Sequence, residues 1–459
     1  MTHKKIGKFS IDYLTSDIFE FIEAYVFSDS SEYSFLLNKQ GKSIILHKEF
    51  VAEIRINKIS EQLAFKLIQR GFLIGAHHGE QIAPIKIKYF IIDITKSCNF
   101  NCLYCFRNHL TNSQMSSDTI SKIAMKIIGY CRKNDIKQIG IQAFGGEPLL
   151  YLEGIKSLCK CFSNSGIEVC IDVETNASLI NDAIAKELMN LNIKVGVSID
   201  GDEKAHNAQR RLADGSKSYE MVIQGIKNLK KYYFVDFSVI NVLTKMNIDR
   251  IKDLIQFYIY DLNITNVKFN IVKDNPNAVE SRLAPSTVQI ERFAAELCDT
   301  IFAYYRMGIR FNEDNLLTRL QNLLSRTNNN FCLSNGCRGG EAMISIDCDG
   351  NIFPCETLDF PNEKLANIFD STFEFDSIAE KKRQHDFFVH SGAKCENCPW
   401  EYYCKGGCAS RRRYNGNKEE IDEVECAINK VIYPKLIELI LSEPQTVDNM
   451  SGRITCHRT

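Results

Sequence analysis

Residues 85–108 read IKIKYFIIDITKSCNFNCLYCFRN, and this stretch decides the fold. Its first part, Ile85 to Ile94, is an apolar run of strand length, rich in Ile. Its second part places Cys98, Cys102 and Cys105 on one short loop directly after that strand. Three thiolates on a single loop can hold three irons of a 4Fe–4S cube and leave the fourth without a protein ligand. That open iron can bind a small molecule, which turns an electron carrier into a catalyst. A zinc knuckle or a structural cluster is the alternative, although zinc sites are usually closed by four ligands.

Downstream of this loop, strands and helices alternate. Candidate strands are Ile85–Ile94, Ile139–Phe144, Val169–Thr175, Lys194–Ile199, Val235–Leu243 and Asn266–Val272. Amphipathic helical stretches lie between them, at Thr119–Arg132, Gly154–Ser163, Asp182–Leu191, Tyr219–Lys231 and Ile251–Asp261. The alternation predicts an α/β fold over 85–273: a parallel sheet with outer helices, six units of a partial, TIM-like (β/α)6 barrel. Chemistry then belongs at the C-terminal strand ends. Residues 274–331 predict a helical linking region, with helices at Ser286–Met307 and Asn315–Arg326. Residues 332–442 hold a second cysteine cluster and a final helix, and 443–459 read as a flexible polar tail. At the other end, residues 1–84 predict a hairpin, Tyr33–Asn38 and Ser43–Leu46 around Lys39-Gln40-Gly41. Two short helices follow, Lys48–Ile56 and Ser60–Arg70, with Ser60 as cap and Gly71 as stop. His77 to Pro84 reads as a linker.

Composition bounds the rest. A chain of 459 residues has room for two to four domains, and its net charge of −1 gives no reason to expect nucleic acid as a partner. No apolar run reaches membrane-spanning length, and the N-terminus lacks the apolar core of a secretory signal. Eighteen cysteines, clustered at short spacings, point to metal rather than disulfides, and so to a cytoplasmic, oxygen-sensitive protein.

Further motifs sit at the ends of the predicted strands. The second strand ends in Phe144-Gly145-Gly146-Glu147-Pro148. Its carboxylate can meet a cationic amino group, and its glycines allow close backbone approach. The third ends Glu174-Thr175-Asn176 and the fourth Val197-Ser198-Ile199-Asp200-Gly201, with His206-Asn-Ala-Gln-Arg210 beyond. Asp200-Gly201 alone is compatible with a simple turn, and His206 reads as a structural hydrogen-bonding residue. The C-terminal cysteines run Cys332, Cys337, Cys355, Cys395, Cys398, Cys404, Cys408 and Cys426. Eight thiolates suffice for two fully ligated 4Fe–4S clusters, and two zinc ribbons are the alternative. Cys131, Cys159, Cys161, Cys170, Cys298, Cys348 and Cys456 read mostly as packed thiols. Arg411-Arg412-Arg413 reads as a solvated basic patch or, failing that, a grip on an acidic peptide.

The triplet with Tyr104, the GGEP segment and the strand-end motifs together resemble the radical S-adenosylmethionine (SAM) enzymes. The later cysteines resemble the SPASM extension found on peptide-modifying members. The resemblance implies a catalytic cluster on Cys98, Cys102 and Cys105, with SAM contacts from Tyr104, Gly145, Gly146, Glu147, Pro148, Asn176, Ser198 and Arg210. It implies auxiliary cluster I on Cys332, Cys337, Cys355 and Cys408, and cluster II on Cys395, Cys398, Cys404 and Cys426. The chain departs from the family pattern at Ala177, for Gly, and Asn207, for Asp. The implied chemistry is reductive cleavage of SAM to a 5′-deoxyadenosyl radical, with an electron donor such as flavodoxin or ferredoxin. The implied substrate is a ribosomally made peptide, receiving a thioether, carbon–carbon or related crosslink. Residues 1–84 resemble winged-helix peptide-recognition domains, which bind a peptide as an added strand. Anaerobic sulfatase maturation, oxidising Ser or Cys to formylglycine, is the second reading, with Glu356 as the base where that group carries Asp. A non-enzymatic multi-cluster electron carrier is the third.

Overall fold

The computed structural model describes residues 3–13, 17–28, 32–75, 85–107, 111–233, 237–325, 330–384, 395–414 and 421–452. The chain begins with six strands: β1 His3–Ile6, β2 Phe9–Tyr13, β3 Asp17–Phe21, β4 Ala24–Ser28, β5 Tyr33–Asn38 and β6 Ser43–His47. Helices Lys48–Arg55 and Glu61–Gln69 follow, then β7 Leu73–Gly75. The expected hairpin is β5–β6, closed by Asn38, whose Oδ1 accepts from the Gln40 and Lys42 N–H groups at 3.0 and 2.9 Å. It forms part of a four-stranded antiparallel sheet ordered β1-β4-β5-β6, beside a three-stranded sheet β2-β3-β7. The winged-helix expectation therefore understated the β content of this segment, whose hairpin and helix pair were legible but whose outer strands were not. The expected linker His77–Pro84 lies outside the described residues.

The main sheet starts with β8 Tyr89–Thr95, β9 Gln138–Gly145, β10 Glu168–Thr175, β11 Lys194–Ser198, β12 Ser238–Leu243 and β13 Asn266–Ile271. These six are parallel neighbours in chain order, with helices Ser117–Lys133, Leu152–Phe162, Asp182–Asn190, Tyr219–Lys230 and Ile251–Gln256 between them. The sheet continues to β14 Asn312–Glu313 on one side and to β15 Met343–Ile346, β16 Asn351–Phe353 and β17 Ala366–Asn367 on the other. Its hydrogen-bonded order, β14-β13-β12-β11-β10-β9-β8-β15-β16-β17, is linear, so the strands do not close into a ring.

Alternation along the strands separates two faces. Phe90, Ile92, Ile141, Ala143, Ile171, Val173, Val195, Val197 and Val239 are buried under the helices. The opposite face carries Asp93, Gln142, Asp172, Glu174, Ser198, Lys268 and Asn270. Glu174 on β10 and Lys268 on β13 share this face and act on each other electrostatically. A packed TIM barrel fills its interior with branched apolar side chains; this interior is polar.

Helix Thr287–Arg306, with a capping box from Ser286 and Gln289, packs against helix Glu423–Ser442. The start of the tail is ordered, contrary to expectation. Pro444–Ser451 is a helix with Val447 and Met450 buried, and Arg306 grips Glu443 with Nε and Nη2 at 2.8 and 2.6 Å. The polar composition of this segment concealed its two apolar anchors. No helix among the described residues is long and apolar enough to cross a membrane.

Candidate active site

The cysteine loop leaves β8 and is stitched to the turn after β9. Gly146 N–H donates to Thr95 O at 3.1 Å and Glu147 N–H to Ser97 O at 2.8 Å. A Cβ on Gly145 (φ +146°) would lie 2.0 Å from Thr95 O, and one on Gly146 would lie 2.2 Å from Ser97 O. The two glycines thus let the turn approach the backbone of the cysteine loop itself. Pro148 then opens a short 3-10 helix, Pro148–Tyr151.

Glu147 is buried and its carboxylate is occupied within the chain. Oε1 accepts from Thr175 Oγ1 at 2.7 Å and Leu149 N–H at 3.0 Å, and Oε2 accepts from Asn176 N–H at 2.7 Å. Burial pushes this carboxyl up, and those three donors pull it back. Its visible work is to pin the end of β10. Asn176 extends the same scaffold: its Nδ2 donates to Asn99 Oδ1 at 2.8 Å, on the cysteine loop. Ala177, where the family pattern has Gly, adopts φ +60°, the left-handed region that glycine enters at no steric cost. Asn207, where the pattern has Asp, accepts from the Ser218 and Tyr219 N–H groups at 3.0 and 3.1 Å. An amide oxygen serves there as well as a carboxylate.

A buried network backs the loop from the other side. Tyr104 OH donates to Asp200 Oδ2 at 2.7 Å and accepts from Arg210 Nη1. Gln209 Nε2 and Val242 N–H each donate to Asp200 at 2.9 Å. Asp200 is therefore a hub rather than a simple turn residue. Its strand-end position beside a glycine hid this. Arg210 Nε is buried without a partner. His206 is held neutral, pushed down to about 3 by burial and by Arg210, and its Nε2 pairs with Ser218 Oγ at 3.0 Å. Ser198 ends β11 on the polar face, half-buried.

The thiols fall into three groups. Burial pushes Cys98 up to about 11 and Cys102 to about 12, and each is raised further by Cys105. Cys332 is pushed up to about 12 by burial, then by Cys337 and Cys408; Cys355 is raised by burial, then by Glu356 and Cys337. Cys398 is raised by burial, then by Cys395 and Cys426, and Cys404 by burial, Glu425, Asp422 and then Cys398 and Cys395. Cys332 is exposed. No three of the described His, Cys, Asp or Glu side chains converge tightly enough to share one metal ion.

Two residues missed in the sequence connect these groups. Arg107, just after Cys105, pairs with Asp93 Oδ2 at 2.7 Å and with Asp359 Oδ2 at 3.0 Å, tying the first cysteine loop to the C-terminal region. Burial pushes Asp93 up to about 6 despite this partner. An acid inside an apolar strand, with Arg after the last loop cysteine, was the available signal. The other is Lys273, past the end of β13, whose Nζ donates to Thr357 Oγ1 at 2.6 Å. Glu356 lies in this interior. It acts electrostatically on Arg107, Lys273 and Glu174, and its Oε2 is buried without a hydrogen-bond partner. Arg411 and Arg413 are not a solvated patch. Arg411 donates to Val272 O and Ile271 O, Arg413 pairs with Glu363, and Arg412 is buried. Cys131 and Cys298 are buried as expected, while Cys456 lies outside the described residues.

Residues 92–258 match the radical SAM superfamily. The chain is 27% identical over 365 residues to a cysteine-type anaerobic sulfatase-maturating enzyme of Clostridium novyi (strain NT), covering 77% of this chain and 96% of that protein. In fold it resembles a solved structure of anSMEcpe with bound AdoMet and Cp18Cys peptide, at TM-score 0.67 and 20% identity, over 81% of this chain and 100% of that one. It also resembles Streptococcus suis SuiB bound to precursor peptide SuiA, at TM-score 0.54 and 17% identity, over 85% and 95%. With its cysteine triplet directly after β8, and with this match to its strands and loops, the chain is an enzyme that carries a radical SAM superfamily region over residues 92–258.

Proposed function

We propose that this enzyme oxidises a side chain in a peptide or protein substrate lying in the polar interior between Cys98–Cys105 and Cys355. Cys98, Cys102 and Cys105 would hold the catalytic 4Fe–4S cluster. Cys332, Cys337, Cys355 and Cys408 would hold one auxiliary cluster, and Cys395, Cys398, Cys404 and Cys426 a second. When bound, the clusters and SAM supply hydrogen abstraction by a 5′-deoxyadenosyl radical and an acceptor for the electron left on the substrate. The chain's own residues do the rest. Tyr104, Asp200 and Arg210 stiffen the wall behind the cysteine loop, and Glu147 and Asn176 fix the facing strand end. The sheet and its covering helices restrict water around the reacting carbon. Glu356 takes the substrate proton at Oε2, completing a two-electron oxidation.

The carrying observation is the buried Glu356 Oε2, which has no hydrogen-bond partner and lies within electrostatic reach of Arg107 and Lys273. Formylglycine formation is the finer reading that the curated relatives favour, since they match along nearly their whole length. A crosslinking peptide maturase is favoured by one separate feature. β6 lies at the edge of its sheet, and Ile45 and Tyr33 beside it are 45% and 49% exposed. An extended peptide could add there as a further strand.

Incubation of the reconstituted enzyme with SAM, reductant and a Cys-x-Pro-x-Arg peptide tests the first product. An aldehyde is expected from the native chain. Glu356→Gln should still cleave SAM but form at least 10²-fold less product, the usual span of a general base. Product formation by Glu356→Gln at the native rate would remove Glu356 from the mechanism, and absence of SAM cleavage would sink the whole reading. A peptide that instead loses two hydrogens, with binding weakened by Ile45→Asp, would select the crosslinking chemistry.

A further inference from the structure

The end of β13 is strapped to the second cysteine region. Arg411 donates to Ile271 O and Val272 O at 2.5 and 2.6 Å, and its Nε faces Asp422 Oδ2 at 3.5 Å. This strap carries the next residue, Lys273, inward. Its Nζ donates to Thr357 Oγ1 at 2.6 Å, and that hydroxyl lies 3.4 Å from Cys355 Sγ. An ammonium has no lone pair, so the hydroxyl accepts from Lys273 and its own proton is free to point at the sulfur. Thr357 is fixed in turn by Ser410 Oγ, which donates to Thr357 O at 3.0 Å.

Among the described residues Lys273 makes no ion pair with a carboxylate. The side chain is half-buried, and its hydrogen bond to Thr357 sets the ammonium one hydroxyl away from Cys355 Sγ.

We propose that Lys273 and Thr357 are positioning residues that tune the cluster held by Cys332, Cys337, Cys355 and Cys408, making it the electron acceptor of the reaction. This rests on the reading above. Reduction of a cluster adds one electron and no proton, so the extra negative charge falls beside a fixed ammonium. A hydrogen bond to a ligand sulfur acts in the same direction, and both shift iron–sulfur potentials upward. The quartet of Cys395, Cys398, Cys404 and Cys426 is built differently: Lys430 hydrogen-bonds Cys426 directly, and the carboxylates of Glu425 and Asp422 act on Cys404 against it.

The test is an anaerobic redox titration of the full-length reconstituted enzyme, followed by electron paramagnetic resonance, with iron counted in every sample. Lys273→Met and Thr357→Val should each weaken the affinity of this cluster for its electron about tenfold, a fall of about 59 mV for a one-electron couple. The potential of the other auxiliary cluster should stay in place, and Lys273→Arg and Thr357→Ser should restore most of the loss. If Lys273→Met loses iron, Thr357→Val decides alone, since it leaves the charge where it is. Native iron content with an unchanged potential in Thr357→Val overturns the tuning role and leaves the enzymatic reading standing. Absence of iron on this quartet in the native chain overturns both.

Discussion

Gly146→Ala should disable SAM cleavage while leaving the C-terminal clusters intact. An ideal Cβ at 146 would lie 2.2 Å from Ser97 O, 2.6 Å from Ser97 C and 3.0 Å from Cys98 Cβ, where ordinary contact begins at 3.4 Å. The obstructing atoms are mostly backbone, so no side chain can swing aside, and turn and loop must part by about 1 Å. That separation strains the Gly146–Thr95 and Glu147–Ser97 hydrogen bonds. Overpacking costs about 1–3 kcal/mol, and each weakened bond up to about 1 kcal/mol. The shift falls on the residue before Cys98, and a misplacement of about 1 Å in a catalytic framework can cost about 10²-fold in rate. The assay is 5′-deoxyadenosine formed under strong reductant, with iron per chain measured alongside. Gly129→Ala is the control: beyond its chain neighbours and its own helix backbone nothing lies within 4 Å of its would-be Cβ, and it sits within helix Ser117–Lys133. Native-rate cleavage by Gly146→Ala, with native iron content, would refute the claim that this backbone contact sets the cysteine loop.

Two other perturbations probe the framework. His206 resists protonation down to about 3 in the fold, whereas the unfolded chain takes up that proton near 6.5. Its contribution to stability is therefore lost as pH falls below about 6.5, by up to about 1.4 kcal/mol per pH unit. His206→Gln should flatten that part of the melting-temperature profile between pH 7 and 5.5, and parallel profiles would show the assignment to be wrong. Trp400 is stacked between Phe27 at 5.2 Å and Tyr433 at 4.7 Å, joining the N-terminal sheet to the loop of Cys395–Cys404. Trp400→Ala should cost about 3–5 kcal/mol locally. Amide exchange should speed up in β4 and β5 but not in β8–β13; uniform exchange across both sheets would contradict that wiring.

Local spacing and period made much of this legible in the sequence. All six parallel strands and their helices follow from runs of β-branched residues and from helical periodicity, because each such element buries one face whatever its neighbours are. The cysteine spacings marked candidate ligands, which stand at short intervals in the chain. The hydrophobic pattern also placed Glu147 and Asn176 at strand ends. It did not reveal that Glu147 spends its carboxylate on Thr175 and Asn176, or that Asp200 anchors Tyr104.

The sequence by itself therefore determined the element order and the class of chemistry, both of which rest on short-range spacing. Only the tertiary structure decided which charges share the interior. Arg107 meets Asp359 across 252 positions of chain, and Lys273 meets Thr357 across 84. Charges that must be paired when buried leave no periodic trace, because their partners are chosen by which elements pack together and not by where they stand in the chain.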